Sequence, residues 1–269
     1  MQTLTPLTDQ NLMRLAPSIF ADNPFHEVSS RYTFIPTIQV VNLLRQEGWF
    51  PTQARESQVR LEDKQGFQKH IIRFNRENDI QKIQEETPQI VLVNSHDRSC
   101  AYQFSAGFFR LICMNGLIVA SAAQQFKTRH LNWEPEKIIE TSYEILESTP
   151  LTLETINSAK QISLTPPERK AFAEASTLLL YDNISDSPFS PNKLLIPHRY
   201  SDKQNEMSLW NTFNIVQENI LKGGVRGIVK NKDGHRRNYT SRKVKSIDRD
   251  VKLNRALWHL MTSLLEYKN

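Results

Sequence analysis

The amino-acid sequence predicts an α+β protein, with a helix and an antiparallel strand meander in the N-terminal half and a helical C-terminal half carrying a basic β-hairpin. Three observations predict it. An apolar helical period at Ile38, Val41 and Leu44 ends at Gly48, and short β-branched and aromatic runs follow as far as residue 119. From Pro135 onward, apolar residues recur at helical spacing instead. Within that half, two arms that mix apolar and basic residues flank Asn231-Lys232-Asp233-Gly234, a turn with glycine at its tip.

Residues 1–30 are irregular, broken by Pro6, Pro17 and Pro24. Thr37 is placed to cap the first regular helix, and Gly48 suits its C-terminus because glycine tolerates the left-handed conformation there. Trp49 and Phe50 open an extended region. A strand over 69–76 follows the turn Asp63-Lys64-Gln65-Gly66, the run 89–94 reads as a central strand, and 102–119 holds one or two more. Pro135 fits the first turn of a helix over 136–147. Thr165 and Glu168 form a capping box for a helix reaching about residue 180. Residues 182–197 read as a surface loop. An amphipathic helix over 206–221, with Trp210, Phe213, Val216 and Ile220 on one face, stops at Gly223-Gly224. A closing helix over 248–267 takes Asp248 as its cap, with Leu257 and Trp258 as core anchors. The whole reads as one α+β domain, sheet-rich over 30–125 and helical over 134–269, with the hairpin in 222–247.

Composition narrows the function classes. A chain of 269 residues with 39% hydrophobic and 23% charged residues has the make-up of a globular protein with a sizeable core. The longest apolar stretch, 104–123, is interrupted by Ser105, Arg110, Asn115 and Ser121, so no membrane span is expected. The N-terminus lacks a basic region followed by an apolar block. Cys100 and Cys113 make no disulfide framework, so the expected compartment is the reducing cytoplasm. No Cys-x-x-Cys, no His pair at helical metal spacing, no phosphate-cradling glycine loop and no nucleophile elbow is present. Neither a catalytic residue nor a metal or cofactor is therefore expected. One pattern points the other way: Glu62-Asp63-Lys64 has the acid-x-Lys form that metal-dependent nucleases use, though it also makes a good turn.

Charge is distributed unevenly. Residues 222–255 hold twelve Lys or Arg and three Asp, which leaves 22 basic and 26 acidic residues for the rest of the chain. A mildly acidic body with one strongly basic segment attracts polyanions locally, because phosphate neutralisation releases condensed counterions. The expected nucleic-acid contacts there are Lys222, Arg226, Lys230, Lys232, Arg236, Arg237, Arg242, Lys243, Lys245 and Arg255. Tyr239, the one aromatic inside the run, is either a base-stacking or a packing residue. A second basic group lies on the strand over 69–76, where Lys69 and Arg73 share one face and Ile72 and Phe74 the other. Lys127, Arg129 and His130 form a smaller third group.

The run Phe109-Arg110-Leu111-Ile112-Cys113-Met114-Asn115-Gly116-Leu117 resembles a plasmid- and prophage-borne family, domain of unknown function 932, which includes YfjQ- and YafZ-like prophage proteins. The likeness recurs at Pro197-His198-Arg199-Tyr200, through 209–219, at Gly223-Gly224 and over 248–258. It implies a setting on mobile elements rather than a reaction. The segment 38–49, ending in Gly48-Trp49, is also similar to the start of Rad52-type single-strand annealing cores, over residues 30–76. That likeness implies a curved sheet whose basic groups, here Lys69 and Arg73, hold a DNA backbone. The strongest basic segment of this chain departs from that pattern by lying near the C-terminus.

The leading expectation is a non-enzymatic, cytoplasmic nucleic-acid-binding protein of a mobile element. It favours single-stranded DNA and acts in strand annealing, recombination or maintenance. A second copy of the chain and a host protein are further candidate partners. Two alternatives stay open: an interaction protein that inhibits a host defence complex, and a metal-dependent nuclease using Glu62 and Lys64.

Overall fold

The computed structural model describes residues 4–27, 34–59, 61–81, 86–110, 115–118, 125–128, 135–199, 202–203, 207–230 and 234–268. Its contacts fall into two compact units, Met1–Pro150 and Leu151–Asn269. The protein is α+β, with an antiparallel sheet in the first unit and helices dominating the second. No described helix is long and apolar enough to cross a membrane.

In the first unit, α1 (Asp9–Leu15) starts on a capping box between Thr8 and Asn11. Helix α2 (Thr37–Gln46) leads through Gly48, at φ +79°, into β1 (Trp49–Glu56). Then come β2 (His70–Arg76), α3 (Glu77–Gln81), β3 (Glu86–Asn94), β4 (Tyr102–Arg110), β5 (Asn115–Ile118) and β6 (Gln125–Thr128). Strands β1 to β4 pair antiparallel in sequence order. Both β5 and β6 pair with β4, β5 along 107–110 and β6 along 102–105, so two short strands share one edge in series. Pro51 sits in β1, on the edge of the sheet and beside the register shift between Pro51 and Gln53, where a missing N–H is tolerated.

The expected alternation of β2 does not hold. Ile72 and Phe74 are buried as predicted, but so are Ile71, Arg73 and Asn75, because both faces of the sheet are covered here. The second buried face is polar and cross-linked. Thr52 Oγ1 donates to Asn75 Oδ1 (2.7 Å), Gln89 Nε2 donates to the same oxygen (2.9 Å), and Asn75 Nδ2 donates to the Pro88 carbonyl (3.1 Å). Arg73 reaches the Gln89 amide oxygen and the Gly116 carbonyl. Such groups must be satisfied once water is excluded, and these satisfy one another.

Thr37 has a different role from the cap expected of it. Pro36 is the N-cap residue, and no side chain caps α2. The Thr37 hydroxyl instead lies at the centre of a buried cluster: it accepts from Asn94 Nδ2 (2.9 Å) and meets His70 Nε2 at 2.9 Å and His96 Nε2 at 3.3 Å. Ser18 Oγ closes the other side of His70, 2.9 Å from Nδ1. All five residues are fully buried. Burial, and secondarily the neighbouring His96, lowers the His70 pKa from 6.5 to about 3, with the Gln68 carbonyl opposing weakly.

The unfolded chain therefore takes up a proton below about pH 6.5 that the fold refuses. The stability His70 supports is complete above that pH and is lost as pH falls towards about 3. The expected slope is about 1.4 kcal/mol per pH unit from this one group. Thermal melts between neutral and mildly acidic pH should show it, and His70→Gln should be less stable at neutral pH but shallower in slope. Equal slopes for the two proteins would remove His70 as the cause.

The long helix α4 (Pro135–Gln161) begins at the predicted proline in the first unit but runs on past residue 147, through Pro150, so that its C-terminal part belongs to the second unit. Helix α5 (Pro166–Leu178) has the predicted Thr165–Glu168 capping box. Short 3-10 turns at Ile184–Asp186 and Pro191–Leu195 organise the expected loop. Then follow α6 (Leu209–Lys222), β7 (Arg226–Lys230), β8 (Arg236–Thr240) and α7 (Ile247–Lys268). Helix α7 starts earlier than expected, on Ser246, whose Oγ accepts from the Arg249 amide (3.3 Å).

Helix α6 is not amphipathic in place. Every residue from Leu209 to Ile220 is buried, so its polar side chains need partners from several directions. Gln217 donates to Asn254 Oδ1 on α7 (2.7 Å), and Asn219 donates to the carbonyls of Leu194 (2.9 Å) and Ile196 (3.0 Å). Glu218 pairs with Arg199 and with Lys222 (3.0 Å). Burial works against the Glu218 charge, yet these two cations hold its pKa below the ordinary carboxyl value. The apolar side of the unit centres on Phe213, stacked on Trp210 and met edge-on by Trp258.

Candidate nucleic-acid interface

The basic hairpin exists, with its first arm where expected and its second, expected over 239–245, nearer the turn at Arg236–Thr240. Strands β7 and β8 pair from Arg226 opposite Thr240 to Lys230 opposite Arg236. Beyond Thr240 the pairing lasts one step more, the Ser241 amide donating to the Val225 carbonyl (2.9 Å), and the chain then turns away, the Val244 amide donating to the Leu221 carbonyl at the end of α6 (2.9 Å). This return is possible because Gly223 and Gly224 both adopt positive φ, +73° and +90°.

Gly223 is also a point of close approach. A Cβ there would lie 2.6 Å from the Arg242 carbonyl carbon and 2.7 Å from the Ser241 oxygen, whereas at Gly224 it would meet nothing within 4 Å. Gly223→Ala should therefore cost clearly more than Gly224→Ala, which carries only the left-handed strain of about 1–2 kcal/mol. Chemical denaturation of the two variants gives the order. Equal losses would mean that the backbone approach is soft.

The hairpin is held on its other side by the 182–197 segment. The Ile228 amide donates to the Pro188 carbonyl (2.7 Å), and Lys193 Nζ donates to the Arg226 carbonyl (2.9 Å). A side chain at Gly227 would overlap the Pro188 carbonyl, so glycine is required for this contact.

On this frame Arg226, Arg236, Arg237, Arg242, Lys243 and Lys245 are all exposed. Arg226, Arg236, Arg237, Arg242 and Lys243 enter no ion pair among the described residues. Lys230 lies on β7 opposite Arg236, and Lys232 falls outside the described residues. Tyr239 is half-buried, with its hydroxyl 3.5 Å from that of Tyr181. Tyr239, Arg242, Lys243 and Lys245 line one groove of about 350 Å³, together with Tyr181, Phe189 and Arg249. Arg249, on the first turn of α7, was not among the predicted contacts. The signal for it was its place inside the basic run, but a helical position gave no reason to aim it at the hairpin.

Four predicted contacts are placed otherwise. Lys69 and Arg73 belong to the first unit and are only 8% and 7% exposed, since the sheet is covered on both faces there, so they present no surface to a phosphate backbone. Lys222 is engaged by Glu218. Arg255 is half-buried on α7, and that burial lowers its pKa. Of the third basic group, Arg129 and His130 fall outside the described residues. The Glu62–Lys64 pattern forms an exposed 3-10 turn, with Lys64 Nζ 5.5 Å from the centre of the Phe25 ring. No group of three His, Cys, Asp or Glu among the described residues is arranged to hold a metal ion.

Comparison with known proteins places this architecture. Residues 24–258 match the family model described as domain of unknown function (DUF932). The chain belongs to the DUF932 family. It is 35% identical over 260 residues to the UPF0380 proteins YafZ and YfjQ of Escherichia coli (strain K12), covering 97% of this chain and 92% of each relative. No solved structure matches. The family relationship of this DUF932 chain assigns no reaction.

Proposed function

We propose that this DUF932 chain is a non-enzymatic, cytoplasmic single-stranded-DNA-binding protein that serves strand annealing or protection in the recombination or maintenance of a mobile element. The observation that supports it is the cluster of exposed cations on β7, β8 and residues 241–245, held on a short ribbon braced from both sides. Of these, Arg226, Arg236, Arg237, Arg242 and Lys243 enter no ion pair among the described residues, so their charge is available to phosphates. A wide, shallow basic ribbon follows a backbone without reading bases. Base pairing between the bound strands would then supply the sequence specificity of annealing.

The test is a gel-shift series with single-stranded DNA, duplex DNA and RNA at two salt concentrations. Single-stranded DNA should bind most tightly, and its affinity should fall steeply with salt. Tightest binding to duplex or to RNA, or a salt-independent affinity, would overturn the assignment. Incubated for hours with Mg²⁺ or Mn²⁺, the protein should leave all three substrates intact. Cleavage that Glu62→Gln abolishes would replace binding by the nuclease reading.

A further inference from the structure

We propose that the groove between the hairpin and α7 receives one unstacked base of the bound single strand, with the adjoining phosphates held at its rim by Arg242, Lys243 and Arg249. The inference rests on the single-strand reading above and deepens it by assigning a site to the base as well as to the backbone.

The groove has the size and the division of chemistry that such a ligand requires. Its volume, about 350 Å³, falls in the range of small-molecule sites, roughly 300–1,000 Å³. Its inner part is aromatic and apolar. Phe189 is 5% exposed and meets Tyr181 edge-on, with ring centres 6.0 Å apart, so the floor is packed in place before anything binds. Tyr181 and Tyr239 are both half-buried and approach through their hydroxyls, which pins two rings at the wall of the groove. Burial, and then the Tyr239 hydroxyl, raises the Tyr181 pKa, so its phenol stays neutral and does not repel a phosphate.

The rim is cationic. Arg242 and Lys243 are exposed on the irregular segment tied to α6, and Arg249 is exposed on the first turn of α7, on the side from which its charge reaches Tyr181. Every nucleotide pairs an apolar, stackable base with an anionic phosphate, and this groove offers the matching pair of surfaces. A base within a duplex is stacked on both faces and cannot enter, so the pocket would also favour single strands over duplex.

Fluorescence anisotropy on the full chain tests it. The probes are an oligothymidylate, the same backbone carrying abasic sites in place of the bases, and free thymidine monophosphate as competitor. The abasic strand keeps every phosphate and loses every base, so wild-type protein should bind it roughly 5- to 150-fold more weakly, the range of one lost base stack. Tyr181→Leu should bring the natural strand down to the affinity of the abasic one, with a melting curve to confirm the fold. The wild-type comparison needs no variant and stands alone if that one unfolds. Equal wild-type affinity for both strands overturns the base pocket and leaves the basic ribbon intact. Failure to bind either strand overturns the single-strand reading itself. Competition by free thymidine monophosphate at the affinity of the whole strand overturns the assignment to a strand and makes the groove a mononucleotide site.

Discussion

Replacing Arg236, Arg237, Arg242 and Lys243 together by Gln is expected to weaken single-strand binding by roughly a hundred- to a thousandfold at about 0.1 M salt. The magnitude follows from counterion release. Each phosphate contact on a single strand contributes about 0.7 to the slope of log K against log salt, so four contacts flatten that slope by nearly 3. One decade of salt below the 1 M reference then amounts to nearly three decades of affinity. All four side chains are exposed, so the loss should come without a fall in melting temperature. The effect should also be uniform across strand sequences, since backbone contacts carry no base information. A fourfold variant with the original affinity and slope would reduce the ribbon to a solvated charged surface. Lys69→Gln and Arg73→Gln serve as contrasts. Both side chains are buried in the first unit, so their replacement should lower stability rather than the salt slope.

Trp258→Ala should destabilise the Leu151–Asn269 unit by about 3–5 kcal/mol, enough to lower its melting by 10 °C or more. Trp258 is 6% exposed on α7 and meets the fully buried Phe213 edge-on at 6.4 Å, while Phe213 stacks on Trp210 at 5.3 Å. Removing the indole opens a cavity against α6, which is buried on every side from Leu209 to Ile220, so little can move in to fill it. Binding should be lost only as the unit unfolds. A Trp258→Ala protein that melts normally yet no longer binds single strands would show that the ring belongs to the interface instead. Arg255, expected from the sequence as a nucleic-acid contact, is half-buried on the same helix. Arg255→Ala should therefore also lower stability, and not act on binding alone.

Much of the candidate site was legible before the fold. The hairpin follows from a glycine turn between arms of mixed apolar and basic residues, and its pairing involves residues close in sequence. The same locality explains why the Thr165–Glu168 capping box, the proline start of α4 and the glycine ends of α2 and α6 were read correctly. Where β8 stops was not legible, because the Val244 amide is taken by the Leu221 carbonyl at the end of α6, a partner set by the fold of the return rather than by the turn.

By itself, then, the sequence determined the α+β class, the order of the main elements and the place of the basic ribbon, all of which rest on periodicity, turn chemistry and charge within a few residues. Tertiary structure alone decided which polar residues are interior. Thr37 serves a buried histidine pair instead of a helix end, Arg73 bonds within the sheet, and α6 is enclosed on every side. It also decided that Tyr181, Tyr239 and Arg249, from three separate segments of the chain, line one groove. A residue's second face is buried or left open by whatever distant segment packs against it, and no local pattern in the chain encodes that partner.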